Sequence, residues 1–376
     1  MSPKPFQLSI PDAQLADLKE RLARTRFPDE PPRDPWSTGT SLAYLQELVA
    51  YWKTGFDWRA QEARINRFRQ FTVPIDGIDL HFIHQPGKGE NPMPLLLSHG
   101  WPGSIVEFLE LIPLLTEHFT VVAPSLPGYT LSFKPGQPRF GVEDIADTFA
   151  KLMTEVLGYR KFGAQGGDWG AFITSRLACV RPELLIGIHL NYLPIRRDTH
   201  FVAHSGEDQD WATQLADWVK ERSGYSTIQG TRPQTLAYGL TDSPAGLAAW
   251  IAEKFRAWSD NDGDIESAIA RDAMLANISL YWFTGAIGSS FWPYYARAHS
   301  DWPIPVGRTI DVPTGYAQFP KEILRPPRSL AEKTYTNIRR WSVMEKGGHF
   351  AALEQPERLG HEVTEFFRNP RLVLVR

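Results

Sequence analysis

Past residue 70 the chain alternates two hydrophobic rhythms. Short apolar runs closed by glycine or proline (FTVPI, DLHFIHQ, PLLLSHG, FTVVAPSLPG, LLIGIHLNYLP) alternate with stretches whose apolar positions recur at helical spacing, of which 142–157 is the clearest. This strand, turn and helix repetition predicts an α/β fold, with a mainly parallel sheet covered on both faces. PLLLSHG and FTVVAPS are short and almost wholly apolar, as strands buried on both sides must be.

The rhythm breaks twice. In the first stretch, Ile10, Leu15, Leu18 and Leu22 fall at roughly helical spacing after Pro11, and Asp12 stands where a helix cap would. RFPDEPPRDPW, at 26–36, carries too many prolines for helix or sheet, and a second helix is expected over Leu42–Thr54. No low-complexity linker sets residues 1–70 apart, so they are expected to wrap on the rest of the chain. In the second break, strand signals stop after 195, and 211–221, 245–255 and 264–282 read as helices. Strand rhythm resumes at GRTIDVPTGYA and NIRRWSVMEKGGHF, and a helix over Pro356–Phe367 follows. The expected division is a wrapping region at 1–70, a core made of 71–195 and 303–376, and a helical cap at 196–302 inserted late in that core. No internal repeat is found.

Composition bears on function more than on fold. With 42% hydrophobic and 12% aromatic residues, the 376-residue chain can bury a large core and line an apolar pocket. A net charge of -3 supplies no positive field for a phosphate backbone, so nucleic acid is not an expected partner. The one cysteine, Cys179, has no internal partner, which makes a reducing cytoplasm the expected compartment. Cys179 itself is expected as a small buried apolar group. The opening MSPKPFQLSI lacks the apolar stretch of a signal peptide. No run approaches the ~20 apolar residues of a membrane span, so no membrane anchor is expected.

Candidate chemistry centres on Gly166-Gly167-Asp168-Trp169-Gly170, which follows the run KFGAQ and precedes the apolar AFITSRLA. It has the form of the G-x-Nuc-x-G nucleophile elbow of α/β-hydrolases, with Asp in place of Ser. A carboxylate there attacks carbon by displacement and leaves an ester, which suits strained rings or halide leaving groups. Taken alone, so short a motif is equally a glycine-rich turn with Asp capping a helix. Its partners change the weight. His349, in GGHF, sits between the last strand and the last helix and is the expected general base. Two acids compete to orient it: Glu322, in GYAQFPKEIL, and Asp311, should the strand end earlier. HGWPG, at 99–103, ends the strand PLLLS; there the backbone N–H of Trp101, with that of Trp169, can form an oxyanion hole, and Trp101-Pro102 is a candidate cis peptide. His200 and His204 stand four apart but lack the acidic partner of an H-E-x-x-H site, so no metal is expected.

HGWPGS, PSLPGY, GGDWG, GYSTIQGTRPQTLAYGLTDSPAGLAAW, VPTGYAQFPKEIL and GGHFAALEQP are long and specific. Through them nearly the whole chain resembles the microsomal-type epoxide hydrolases, a branch that includes the juvenile hormone epoxide hydrolases. The resemblance implies Asp168 as nucleophile, Glu322 rather than Asp311 as the acid, and His349 as base. It also implies two cap tyrosines donating to the epoxide oxygen. By motif position these are Tyr225, in SGYSTIQ, and Tyr294, in SSFWPYY, with Tyr295 one step away in register. A phenol can donate to an oxygen as charge develops there, although any tyrosine in an aromatic-rich cap can also serve packing alone. Membrane-anchored relatives carry a transmembrane helix that is not read here. The expected activity converts apolar epoxides and water to vicinal diols through an Asp168 ester, without cofactor or metal. The expected partners are a small apolar epoxide and water, with a homodimer left open. The rivals are a haloalkane dehalogenase and a catalytically silent hydrolase-fold receptor for small ligands; the joint presence of Asp168, Glu322 and His349 argues against the receptor.

Overall fold

Runs with no polar face have nothing to show to water, and they lie in the middle of one sheet. The structure, a computed structural model, describes residues 2–195, 203 and 205–369. Among these, the strands are β1 (Lys4–Phe6), β2 (Gln70–Ile75), β3 (Ile78–Gln85), β4 (Met93–Ser98), β5 (Phe119–Pro124), β6 (Phe162–Gly166), β7 (Leu185–Leu190), β8 (Thr314–Gln318) and β9 (Ile338–Val343). Their order across the sheet is β1-β2-β3-β5-β4-β6-β7-β8-β9. From β5 to β9 every neighbouring pair is parallel, whereas β1, β2 and β3 add on antiparallel. Every residue of β5 and β6 is buried. Alternate residues feed two cores: Leu96 and Val122 pack with the helices Val142–Lys151 and Asp168–Val180, and Leu95, Leu97, Val121 and Ala123 with Leu111–Leu115 and Pro356–Phe367. This is the α/β-hydrolase architecture.

Between β7 and β8 the helices include Gly206–Asp217, Gly224–Thr231, Pro233–Asp242, Pro244–Trp258, Arg271–Thr284 and Trp292–His299. They pack on loops at the carboxyl ends of the strands: His349 N–H donates to Trp258 O at 2.8 Å and Tyr281 OH to Gly103 O at 2.7 Å. Residues 273–281 are buried without a break, as a helix enclosed on all sides requires. The N-terminal residues touch both regions. β1 extends the sheet, while Trp52 Nε1 donates to Ser279 Oγ at 3.0 Å and Tyr51 OH to Asp272 Oδ1 at 2.8 Å.

Some local expectations are corrected. Asp12 does not cap its helix: it is the first residue of Asp12–Ala23, Pro11 holds the cap position, and the Asp12 carboxylate pairs with Arg59. The helix over 142–157 gives way to a π turn at Leu152–Val156. β8 starts at Thr314 rather than near Gly307, because Pro313 has no N–H to give the ladder. β1 and the helix Trp58–Ile65 went unforeseen. β1 is too short to show a period, and the helix is announced mainly by Asp57, whose side chain accepts from Ala60 N–H at 3.1 Å. No helix among the described residues is long and apolar enough to cross a membrane.

Candidate active site

The turn from β6 into the helix Asp168–Val180 holds Asp168 at φ +47°, in the left-handed region that non-glycine residues avoid. The surrounding glycines are required by contact. A Cβ on Gly166 would stand 2.2 Å from Gly170 O, and one on Gly170 would stand 1.9 Å from Ser98 O. Gly167 occupies the helix cap position, and the Asp168 carboxylate makes no capping bond. Instead Asp168 Oδ1 accepts from the Trp101 backbone N–H at 2.7 Å. Trp101-Pro102 is cis. Trp169 lies in the first turn of the helix, where backbone N–H groups have no partner within the helix.

The loop after β9 brings His349 to the same point. Its Nε2 lies 3.3 Å from Asp168 Oδ2, and its Nδ1 lies 2.6 Å from Glu322 Oε1, which also accepts from Ile323 N–H at 2.7 Å. Burial would push the imidazole pKa down, but the charges of Glu322 and Asp168 and their hydrogen bonds outweigh it and hold the pKa well above the usual histidine value. Asp311 stands elsewhere, accepting from Thr336 Oγ1 at 2.9 Å in a groove that it shares with His118 and Phe367. The geometry therefore brings Glu322, and not Asp311, to the imidazole. His99 closes the HGWP turn from behind: its Nδ1 lies 3.1 Å from Gly100 O and its Nε2 accepts from Leu126 N–H. Burial pushes its pKa down to about 4 and so keeps it neutral.

Above Asp168 a cavity of about 320 Å³ is lined by Trp169, Phe172, Tyr192, Trp218, Tyr225 and Tyr294, among others. The Tyr225 ring stacks on Trp101 at 5.5 Å and 10°, and Tyr294 meets Trp169 edge-on at 4.7 Å. Burial pushes the Tyr294 phenol well above its usual pKa, which keeps its proton available for donation. Tyr295 points elsewhere, stacked on Trp292 at 4.8 Å and on His299 at 4.1 Å. Of the two neighbouring tyrosines, Tyr294 lines the cavity with Asp168 and Tyr295 does not. His200 and His204 lie outside the described residues.

On the other side of Asp168 lies a void of about 20 Å³, room for one water, bounded by Ser98, Glu107, Gln165, Asn191 and His349. Ser98 Oγ and Gln165 Oε1 are buried there with no hydrogen-bond partner among the described residues of the protein. Glu107 was missed in the sequence. Removal from water raises its pKa to about 8, with the His349 charge opposing and the Asp168 charge adding, so at neutral pH it is mainly a carboxylic acid. Its signal was an acid within the apolar run IVEFLELI.

Comparison with known proteins identifies the family. Residues 3–108 match the epoxide hydrolase N terminus model and residues 93–222 the alpha/beta hydrolase fold model. A Stigmatella aurantiaca protein assigned to the epoxide hydrolases is 46% identical over 98% of this chain and 85% of its own. Epoxide hydrolase 1 of Oryctolagus cuniculus is 35% identical over 96% of this chain and 88% of its own. The crystal structure of juvenile hormone epoxide hydrolase from Bombyx mori superposes with a TM-score of 0.88 at 31% identity, covering 98% of this chain and 95% of that one. The chain belongs to the epoxide hydrolase family, in the branch that joins the microsomal and juvenile hormone enzymes.

Proposed function

We propose that this enzyme opens small apolar epoxides in two half-reactions carried by Asp168, His349, Glu322, Tyr225 and Tyr294. The observation that supports it best is a carboxylate held between a backbone N–H and an imidazole, facing two phenols across an apolar cavity. In the first half-reaction an Asp168 oxygen bonds to an epoxide carbon, the carbon–oxygen bond of the ring breaks, and its electron pair stays on the oxygen, which takes a proton from a tyrosine. The product is a hydroxyalkyl ester. Forming it removes the Asp168 charge beside His349, so the imidazolium loses the support that held its pKa up. The proton it releases balances the one the phenol gave.

In the second half-reaction neutral His349, oriented by Glu322, takes a proton from water as that water attacks the ester carbonyl. The one-water void beside Asp168 and His349 is a suitable origin for it. Asp168 Oδ1, already bonded to the Trp101 N–H, becomes the oxyanion, with the Trp169 N–H as second donor. Collapse expels the diol, which takes the proton from His349, and the Asp168 carboxyl left behind gives its remaining proton to the imidazole, restoring the starting pair. The lone buried Cys179 supports a cytoplasmic setting.

The test separates the halves. His349→Gln mixed with styrene oxide should gain one substrate mass, located on the peptide containing Asp168, and lose it slowly. Asp168→Ala should gain none. Wild-type diol formation with no adduct in His349→Gln would mean that water attacks the epoxide directly.

A further inference from the structure

Trp250, Lys254 and Trp258 recur every four residues on the helix Pro244–Trp258 and share one face of it. That face turns toward Tyr225. Lys254 Nζ lies 4.5 Å from the centre of the Tyr225 ring, 5.5 Å from that of Trp250 and 5.7 Å from that of Trp258. An ammonium loses its hydration in such a place, which is why lysine is seldom buried. Lys254 is nonetheless only 7% exposed. Its ionic partner among the described residues is Glu253, whose side chain is 31% exposed, so a lysine turned toward solvent could meet that carboxylate without being buried. Packing does not call for the charge either, since methionine would fill the same volume at no desolvation cost.

We propose that Lys254 is a positioning residue for epoxide opening, acting through Tyr225: its ammonium over the ring makes the phenol a stronger donor to the epoxide oxygen. This rests on the assignment of Tyr225 as a donor. While the epoxide carbon–oxygen bond breaks and the phenol proton moves toward the departing oxygen, negative charge accumulates on the phenol and spreads into its ring. The attraction of the ammonium for that ring therefore grows on the way to the transition state. An interaction that strengthens there changes the rate rather than substrate binding. Trp101, stacked on Tyr225 within 10° of parallel, keeps the ring in place for both roles.

Single-turnover kinetics with styrene oxide, resolving ester formation from ester hydrolysis, tests the idea in Lys254→Met, Lys254→Arg, Tyr225→Phe and the Lys254→Met/Tyr225→Phe double variant. Lys254→Met should slow ester formation about tenfold, the scale of losing one desolvated cation–ring contact, and leave hydrolysis unchanged. Lys254→Arg should recover most of the loss, and adding Lys254→Met to Tyr225→Phe should change nothing further. Equal slowing of both steps by Lys254→Met, or the same tenfold loss in the Tyr225→Phe background, would overturn the proposal. If Tyr225→Phe itself leaves ester formation untouched, the donor assignment fails and this proposal fails with it. A normal Lys254→Met rate beside a slow Tyr225→Phe overturns the lysine role alone. Should Lys254→Met not fold, Lys254→Gln takes its place, and equal ester formation in Lys254→Gln and Lys254→Arg overturns the proposal.

Discussion

Gly348→Ala is the most informative single change, because it acts on the base without touching its chemistry. Gly348 has no unusual φ that alanine would be unable to adopt; what it lacks is room. An added Cβ would stand 2.5 Å from Trp258 O, 2.9 Å from Asp260 N and 3.0 Å from Ser259 C, all backbone atoms of the segment that covers the active site. Ordinary carbon contacts begin near 3.5 Å, so about 1 Å of movement must be found, and no side chain can swing aside to supply it. The same segment accepts the His349 N–H through Trp258 O at 2.8 Å, so whatever moves carries the imidazole with it. Overpacking of this kind costs about 1–3 kcal/mol of stability. By entropy scaling that is a melting shift of only about 1–4 °C in a chain of this size. The kinetic effect should be larger, because a misplacement of about 1 Å costs ~10²-fold in a step that depends on alignment. Quenched-flow analysis of the variant should show ester formation near the wild-type rate and ester hydrolysis slowed ~10²-fold. Hydrolysis at the wild-type rate in a folded Gly348→Ala protein would refute the coupling of the cap to the base.

Tyr294→Phe should slow ester formation ~10²-fold, as loss of a donor aimed at developing charge does, whereas Tyr295→Phe should leave it unchanged; the reverse result in the same adduct assay would reassign the second donor. Stability should peak near pH 6.5 in urea titrations. Burial depresses His81 to about 3 and His99 and His189 to about 4, so below pH 6.5 the unfolded chain takes up protons that the folded one refuses. From pH 6.5 down to 4.5 these three imidazoles are partly offset by Glu107 and Glu354, whose burial raises them to about 8 and 7, which leaves a loss from these five groups of about 1.4 kcal/mol per pH unit, to which His84, also depressed by burial, adds. Below 4.5 the carboxyl offset fades as the unfolded chain protonates the same acids, but the histidine contribution fades with it as His99 and His189 take up protons in the folded chain, so the loss does not steepen. Above 6.5 the sign reverses, because Glu107 and His349 keep protons that the unfolded chain releases. Stability that rises steadily toward pH 4.5 would contradict the burial of these groups.

The chain's local chemistry was legible wherever it obeys a short-range rule. Glycines at 166 and 170 announced the strained elbow because backbone atoms stand where a Cβ would be, and apolar runs such as FTVVAP announced central strands because only burial on both faces permits them. The order of Asp168 and His349 was likewise readable, since strand-to-helix turns carry their own punctuation. Helix starts were less secure: proline at position 11 displaced Asp12 from the cap, and a distant arginine claimed its carboxylate. What local rules alone left open were choices between candidates, and only the family resemblance favoured Glu322. Glu322 over Asp311 and Tyr294 over Tyr295 depend on which side chain the packed chain turns inward, and that is decided by contacts between segments far apart in the sequence. Glu107 and Lys254 were easy to pass over for a related reason. A charged residue in an apolar run reads as a solvated position until tertiary packing encloses it, and only then does desolvation change its proton affinity.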